Sequence, residues 1–341
     1  MVLMATTPLG PAWARDLPRP WVCLAPMDGV ADWAFRELCY RMGVDLAVSE
    51  FVPAAGIVAS PKKLLPRIGA RHGNRPFLAQ LYGTAPSEFA AAARIITGSL
   101  PCSGIDVNMG CPTDKVVAHS HGSALMREPH LGADIVAALV AATRLPISVK
   151  LRAGWDTVNA PEVASLIEAA GATMVTIHGR TRAQRFTGVA DLDAIKATVD
   201  AVAIPVIGNG DVVDEASARR MLDQTGVVGV MVGRGAEGNP WIFPELVQAL
   251  QHRTIPGVER WTKGEVVREH ARLIYEQSGT SRFALLPFRK HLIWYARGVV
   301  GKAALREQAQ RIESPDDVEA WVRSLEEALR QQQEHVDVHA A

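Results

Sequence analysis

The sequence of 341 residues is short of cysteine, and its four cysteines are not grouped. Cys23, Cys39, Cys102 and Cys111 form no C-x-x-C motif and have no His-rich companion spacing. This pattern argues against a zinc site, an iron-sulfur cluster and a disulfide framework. We therefore predict that the chain binds no metal, and free thiols fit a reducing cytoplasm.

The chain also lacks net charge and any long apolar run. It has 36 basic and 36 acidic residues, so a polyanionic partner would have to bind a local basic patch. No segment is apolar over the length of a bilayer span, and the N-terminus has no basic segment followed by an apolar one. We expect a cytoplasmic protein with a loose lead-in over residues 1–20, no membrane association and no evident obligate protein partner.

Short apolar runs alternate with Ala- and Leu-rich helical segments through most of the chain. Eight runs have the composition of strands buried on both faces: 22–27, 46–51, 77–82, 104–110, 147–152, 174–180, 205–211 and 229–235. Parallel strands covered by helices have this pattern. Eight such units in roughly 230 residues fit an α/β fold of the (β/α)8 TIM barrel type, which we predict over residues 21–245. An open doubly wound sheet is the alternative, but eight units are more than that fold usually has.

The pattern changes after about Trp241, where helical segments follow one another without strands, and we predict a helical domain over residues 246–341. Between Arg253 and Arg311, twelve Lys and Arg residues face five acidic ones, and the run FRKHLIWYARG lies among them. Such a segment is typical of solvated helix faces or of a platform for nucleic-acid phosphates. Composition alone favours solvated faces.

Polar residues and glycines stand at the C-terminal end of nearly every predicted strand. They are Asp28 after Pro26-Met27, Gln80, Asn108, Cys111, Lys150, Arg152, His178, Arg180, Asn209, Gly210, Asp211, Gly233 and Arg234. Any one of them could have a packing role, but active sites of TIM barrels are built at this end of the strands. Glycines after the seventh and eighth strands are typical of a phosphate site, so we predict a phosphate-bearing cofactor in the barrel mouth.

Eight segments resemble one family in their order and spacing: LAPMDGVADWAFR, AQLYG, DVNMGCP with GSAL downstream, VKLRAGW, IHGRTR, IPVIGNGDV, MVGRGAEGNPWIF and RKHLIWY. They are similar to segments of the tRNA-dihydrouridine synthases, and most similar to the bacterial B branch. The resemblance covers roughly residues 20–300. It implies an FMN-dependent (β/α)8 enzyme that reduces the C5–C6 double bond of particular uridines in tRNA. It also implies NADPH as electron donor and a C-terminal helical domain that helps to hold the RNA.

The resemblance also implies roles for the residues at the strand ends. Cys111 would be the catalytic acid that protonates C5 of uracil, because an ordinary thiol with a pKa of about 8.5 is protonated at neutral pH. Lys150 would stabilise the reduced flavin, and Asn108 would contact the uracil edge. The other positions expected to bind FMN are Pro26, Met27, Asp28 and Gln80 at the ring, and Asn209, Gly210, Asp211, Gly233, Arg234 and His178 toward the ribityl chain and phosphate.

Contacts with tRNA are expected from Lys115, Arg152, Arg180, Arg289, Lys290 and His291. The chain departs from its relatives in the loop after Cys111, where residues 117–121 read Val-Ala-His-Ser-His in place of a more basic segment, and at Asp28, where Ala is common. Two alternatives are a flavin barrel that reduces a small molecule and a tRNA-binding protein without chemistry. The basic C-terminal segment argues against the first, and Cys111 with Lys150 argues against the second.

Overall fold

Parallel strands form one sheet that closes into a barrel. A computed structural model describes residues 11–69, 73 and 75–340. Its strands are β1 (Trp21–Leu24), β2 (Leu46–Val48), β3 (Val52–Pro53), β4 (Phe77–Tyr82), β5 (Gly104–Met109), β6 (Ile147–Arg152), β7 (Met174–His178), β8 (Val206–Asn209) and β9 (Gly229–Val232). Because β1 pairs with β9 and β2 pairs with β4, eight strands close the barrel. The short β3 pairs only with the last two residues of β4. The predicted α/β TIM barrel is confirmed.

The predicted strand 46–51 is interrupted in the structure. β2 ends at Val48, and side-chain hydrogen bonds then replace the ladder, since the Ser49 hydroxyl donates to the Glu50 carbonyl at 2.9 Å and accepts from the Gln80 N–H at 3.0 Å. The Glu50 carboxylate accepts from the N–H of Gly29 in the loop after β1. The polar Ser-Glu pair therefore holds the barrel mouth together and does not continue the strand.

α-Helices alternate with the strands up to residue 251. They are α1 (Trp33–Arg41), α2 (Ala54–Ala59), α3 (Pro61–Ile68), α4 (Pro86–Ser99), α5 (Asp114–Val117), α6 (Pro129–Ala142), α7 (Ala160–Ala169), α8 (Leu192–Ala201), α9 (Glu215–Thr225) and α10 (Ile242–Gln251). The Asp214 carboxylate caps α9 by accepting from the Ser217 N–H at 2.8 Å, and Gly226 ends the helix in the left-handed region at φ 74°.

Side chains alternate between two apolar clusters along most of the barrel strands. Val22 and Leu24 face the helices, whereas Trp21 and Cys23 face the barrel interior. A 3₁₀ helix, Ala12–Ala14, packs against the N-terminal end of the barrel, where the ring of Trp13 lies 6.3 Å from that of Trp21. Within the predicted lead-in, residues 11–20 thus include a short packed helix, and residues 1–10 lie outside the described part. Apolar side chains fill the interior at this end, and the cavity described below lies at the opposite end.

Helices without an intervening strand make up the rest of the described chain. They are α11 (Lys263–Ser278), α12 (Arg282–Leu285), α13 (Phe288–Tyr295), α14 (Lys302–Gln310) and α15 (Pro315–Ala340). The ring of Phe35 on α1 lies 5.5 Å from His270 on α11 and 5.1 Å from His291 on α13, so the C-terminal helices pack directly on the barrel. Within the described residues, no helix has the length and apolar character that crossing a bilayer requires.

Candidate active site

A cavity of about 1090 Å³ lies at the C-terminal end of the barrel strands. Its wall includes fourteen of the residues singled out in the sequence: Pro26, Met27, Asp28, Asn108, Cys111, Lys115, Lys150, Arg152, His178, Asn209, Gly210, Asp211, Gly233 and Arg234. Strand pairing explains their convergence, since Asn108 is opposite Lys150 and His178 is paired with both Arg152 and Asn209. The C-terminal helices also contribute, because Arg297 lines the rim and lies 3.4 Å from Glu237.

Cys111 is a partly exposed thiol in the cavity wall, in contrast to the other three cysteines, which are buried. Its Sγ lies 3.2 Å from the hydroxyl of Thr113. Its backbone is fixed on both sides, because its N–H donates to the Asn108 side chain at 2.9 Å and its carbonyl accepts from the N–H and the hydroxyl of Ser123 at 3.1 and 2.9 Å. The thiol is therefore accessible while the loop that carries it is held in place.

A chain of buried hydrogen bonds inside the barrel holds Asn108. The Asn108 amide donates to Gln80 at 2.8 Å, and Gln80 donates in turn to Asp106 at 2.6 Å. Asn108 also accepts from the N–H groups of Gly110 and Cys111. Burial raises the pKa of Asp106 to about 6, although hydrogen bonds from Ser148 and Gln80 oppose this shift. Gln80 is completely buried and is not among the residues that line the cavity, and its side-chain oxygen holds Asn108 in place.

Lys150 extends from β6 into the cavity and donates to the Asn209 side chain at 2.9 Å. Asn209 is oriented in turn by donating to the Met231 carbonyl at 2.7 Å. Burial lowers the pKa of Lys150 to about 8, and neighbouring Arg152 lowers it as well. The ammonium group is thus held in a place where it lacks full hydration, and a bound anion would relieve that cost.

The loops after β7, β8 and β9 add three further charged groups. The Arg180 guanidinium is buried and donates to Asp211 at 2.8 Å, and Arg234 lies 3.9 Å from the same carboxylate. Burial lowers the pKa of His178 well below its usual value, as do the cations Lys150, Arg152, Arg180 and Arg234 around it. His178 is therefore neutral, and positive charge exceeds negative charge on this side of the cavity.

Two backbone features make this side suitable for a phosphate-bearing group. Gly210 has φ 120°, and a Cβ there would lie 2.7 Å from Ala190 and 2.8 Å from the His178 ring, so only glycine fits this turn. At Gly233 a Cβ would have no neighbour nearer than 3.8 Å, so a ligand can come close to the backbone there. These two glycines and the excess of cations make this side of the cavity fit a phosphorylated flavin. Arg180 does not line the cavity and acts through Asp211.

Arg152 lines the cavity but is almost completely buried. Its guanidinium donates to the carbonyls of Gly110, Thr181 and Arg185 at 2.8, 2.8 and 2.7 Å. These bonds tie the loop before Cys111 to the loop after β7. The side chain expected to contact tRNA thus also stabilises the cavity wall.

The three C-terminal residues expected to contact tRNA lie outside the cavity wall. His291 is 1% exposed and packs against Phe35 and His270, so the expected contact with RNA is incompatible with its position. Arg289 donates to the Ile312 carbonyl at 2.9 and 2.7 Å, which is a structural role. The ammonium group of Lys290 comes close to Gly29 in the loop after β1. A side chain at Gly29 would place its Cβ 2.6 Å from the Lys290 Nζ.

A model of the family described as dihydrouridine synthase matches residues 23–334. The chain belongs to this family. The probable tRNA-dihydrouridine synthase of Rhodobacter capsulatus is 41% identical over 309 residues, which cover 89% of this chain and 94% of that protein. tRNA-dihydrouridine synthase B of Proteus vulgaris is 37% identical over 312 residues (90% and 95%), and that of Xanthomonas axonopodis pv. citri is 38% identical over 318 (91% and 94%). The resemblance to the B branch is confirmed.

One solved structure with a similar fold is the complex of 2-naphthoyl-CoA reductase with 2-naphthoyl-CoA. The TM-score is 0.51 at 11% sequence identity, and the match covers 69% of this chain and 51% of that one. At this identity the match bears on the fold alone.

Several residues of the cavity wall in this dihydrouridine synthase were not expected from the sequence. They are the aromatic residues Phe51, Tyr82 and Phe186 and the histidines His119 and His121. Tyr82 ends strand β4, so the rule that pointed to Gln80 could also have found it. Phe186 is 51% exposed and lies under two guanidinium groups, with its ring centre 4.9 Å from Arg234 and 5.4 Å from Arg152. An exposed aromatic residue in a loop leaves no periodic signal in the sequence.

Proposed function

We propose that this dihydrouridine synthase reduces the C5–C6 double bond of uridines in tRNA, with FMN as its cofactor and NADPH as electron donor. The observation that carries the proposal is the pairing of an accessible, firmly held thiol, Cys111, with a cation-rich, glycine-containing wall across the same cavity. The tRNA-modifying activity named for its relatives from Rhodobacter capsulatus and Proteus vulgaris supports the choice of substrate.

FMN would be held mainly by β6, β8 and β9. Lys150 would lie against the flavin ring, and Asn209, Gly210, Gly233 and Arg234 would surround the ribityl chain and the phosphate. Pro26, Met27 and Asp28 would line the other side of the ring, with neutral His178 and the Arg180–Asp211 pair behind the phosphate. The chemistry that FMN supplies when bound is hydride transfer to C6 of a uracil ring, with NADPH as the source of electrons.

The chain's own residues complete the reduction. Hydride addition at C6 leaves negative charge on C5 and O4, and the Cys111 thiol would give the proton that C5 takes up. Asn108 and Gln80 keep the thiol in position through the backbone bonds described above, and the second Asn108 N–H can face the uracil edge. Lys150 stabilises negative charge that accumulates in the cavity, because a fixed cation in a site with little water needs no reorganisation during the reaction.

The uridine would enter as a base flipped out of the RNA stack, because the cavity lies inside the barrel mouth. Basic groups around the mouth, Lys115, Lys290 and Arg297, would contact the phosphates on either side of the flipped nucleotide. They lie on α5, on α13 and just after α13, so barrel and C-terminal helices would bind the RNA together.

Flavin content and substrate-dependent reoxidation test the proposal. The purified protein should be yellow, NADPH should bleach it without oxygen, and unmodified tRNA should restore the colour far faster than free uridine or a small enone. A colourless protein that takes up no added FMN would contradict the cofactor. Equal reoxidation by a small enone and by tRNA would instead favour a reductase of small molecules.

A further inference from the structure

Four aromatic rings follow one another along one side of the cavity. Phe51 lies 5.2 Å from Tyr82, Tyr82 lies 5.4 Å from His121, and His121 lies 6.0 Å from His119, all measured between ring centres. The rings come from three places: just after β2, the end of β4, and the segment between α5 and Gly122. We refer to Phe51, Tyr82, His121 and His119 as the aromatic ladder.

The ladder does not serve the apolar core. All four rings line the cavity, and Phe51 and Tyr82 belong to neither of the apolar clusters. Phe51, Tyr82 and His121 are partly exposed, and His119 is exposed. The first two contacts are edge-to-face, at 88° and 65°. In such a pair, the ring that offers its edge keeps both faces uncovered by its partner, so ring faces remain available to a flat ligand.

One ring of the ladder, His121, lies next to the segment that packs against the proposed catalytic cysteine. His121 directly precedes Gly122, where a Cβ would lie 2.9 Å from the Cys111 carbonyl and 3.1 Å from the Cys111 Cβ. His119 is two residues further back in the same segment, is exposed and lines the same cavity. A molecule whose reacting part is at Cys111 would therefore have its neighbouring part on the ladder.

We propose that the aromatic ladder is a stacking surface for unpaired nucleobases that adjoin the reacting uridine. This proposal rests on the proposed function, and it adds a contact with the RNA that depends neither on the identity of the base nor on a phosphate. Every base has a π-face, so aromatic side chains along a groove bind single-stranded nucleic acid with little sequence preference. A flipped uridine leaves its neighbours unstacked, and a row of rings beside the thiol compensates for that lost stacking.

Stacking explains the two histidines better than phosphate binding does. Burial lowers the pKa of His121, as does neighbouring His119, so the His121 ring carries little charge at neutral pH. Lys115, a cation just before these histidines in the chain, is better placed to bind phosphates, since it also lines the cavity and is exposed. His121 thus supplies a flat ring, and Lys115 supplies charge.

Substitutions at His121 separate the two explanations, because Lys adds charge without a ring and Phe keeps a ring without charge. The probe is a single-stranded RNA of about six nucleotides with 2-aminopurine next to a central uridine, whose fluorescence is quenched by stacking. His121→Phe should bind and quench like the wild type. His121→Lys and Tyr82→Leu should both bind roughly 5- to 150-fold more weakly, with less quenching. The loss in Tyr82→Leu, which changes no charge, should be nearly the same at about 50 and 200 mM salt.

His130→Leu is the matched control, because His130 is an exposed histidine that does not line the cavity. Tyr82→Phe keeps the ring if Tyr82→Leu unfolds the loop, and it should bind like the wild type. Tighter binding by His121→Lys, or unchanged quenching in both His121→Lys and Tyr82→Leu, would overturn the ladder. Quenching needs no turnover, so it decides the ladder separately, whereas failure of the wild type to reduce unmodified tRNA would overturn the proposed function.

Discussion

Replacement of Cys111 by Ala separates catalysis from folding more cleanly than any other substitution in the cavity. The thiol is partly exposed and belongs to neither apolar cluster. Its loop is held by backbone bonds to Asn108 and Ser123, which alanine retains. Flavin binding, reduction by NADPH and tRNA binding should therefore remain as in the wild type, while formation of dihydrouridine should collapse.

The expected magnitudes differ enough to be told apart. Loss of a general acid typically costs about 10²- to 10⁴-fold in rate, which corresponds to about 2.7–5.4 kcal/mol in the reaction barrier. The cost in unfolding free energy should stay within about 0.5 kcal/mol, since the side chain's one hydrogen bond, to Thr113 at 3.2 Å, is exposed to solvent. Cys102→Ala should show the reverse, because Cys102 is buried in the core and lies outside the cavity wall.

Single-turnover reoxidation measures the relevant step. Wild type, Cys111→Ala and Cys102→Ala are loaded with FMN, reduced by NADPH without oxygen and mixed with unmodified tRNA, and flavin absorbance is followed. Thermal unfolding of the three proteins is recorded in parallel. Equal rates for Cys111→Ala and wild type would remove the thiol from the mechanism. A joint loss of flavin and stability in Cys111→Ala would reduce its role to packing.

Four further outcomes follow from the same geometry. Lys150→Ala should raise the barrier to flavin-dependent turnover by about 2.7–4 kcal/mol. Wild-type turnover should fall as pH rises through about 8, where Lys150 loses its proton, and a flat pH–rate profile would contradict this. Gln80→Leu should lower turnover and melting temperature together at unchanged flavin content, since buried Asp106 loses a donor; wild-type turnover would refute it. Lys290→Gln should weaken tRNA binding more at low salt than at high salt, and an equal affinity across a salt titration would exclude a phosphate contact. Burial lowers the pKa of His270 to about 3, so below pH 6.5 only the unfolded chain takes up this proton. Unfolding free energy should therefore fall by up to about 1.4 kcal/mol per pH unit down to pH 3, and His270→Phe should reduce that slope in denaturant titrations.

The sequence by itself determined the barrel and the end at which its site lies. Apolar residues such as Ile105 and Val107 alternate with Asp106 and Asn108, and this period of two places one set toward the helices and the other inside the barrel. Parallel strands joined by helices all have their C-terminal ends on one side, so polar residues that end several strands must lie near one another. For that reason the sequence alone groups Cys111, Lys150 and Asn209 at one site.

Only the tertiary structure decided which of these residues face the cavity and which lie behind it. Gln80 and Lys150 both point into the barrel, but strand register places Gln80 beside Asp106, one layer below Asn108. His291 belongs to the segment RKHLIWY, in which contact with RNA was predicted, yet packing of α13 against Phe35 buries it. The aromatic ladder joins residues from three separate segments, and closure of the barrel brings them together. Local periodicity sets the face on which a side chain lies, whereas the distance between segments far apart in the chain depends on how the whole barrel closes.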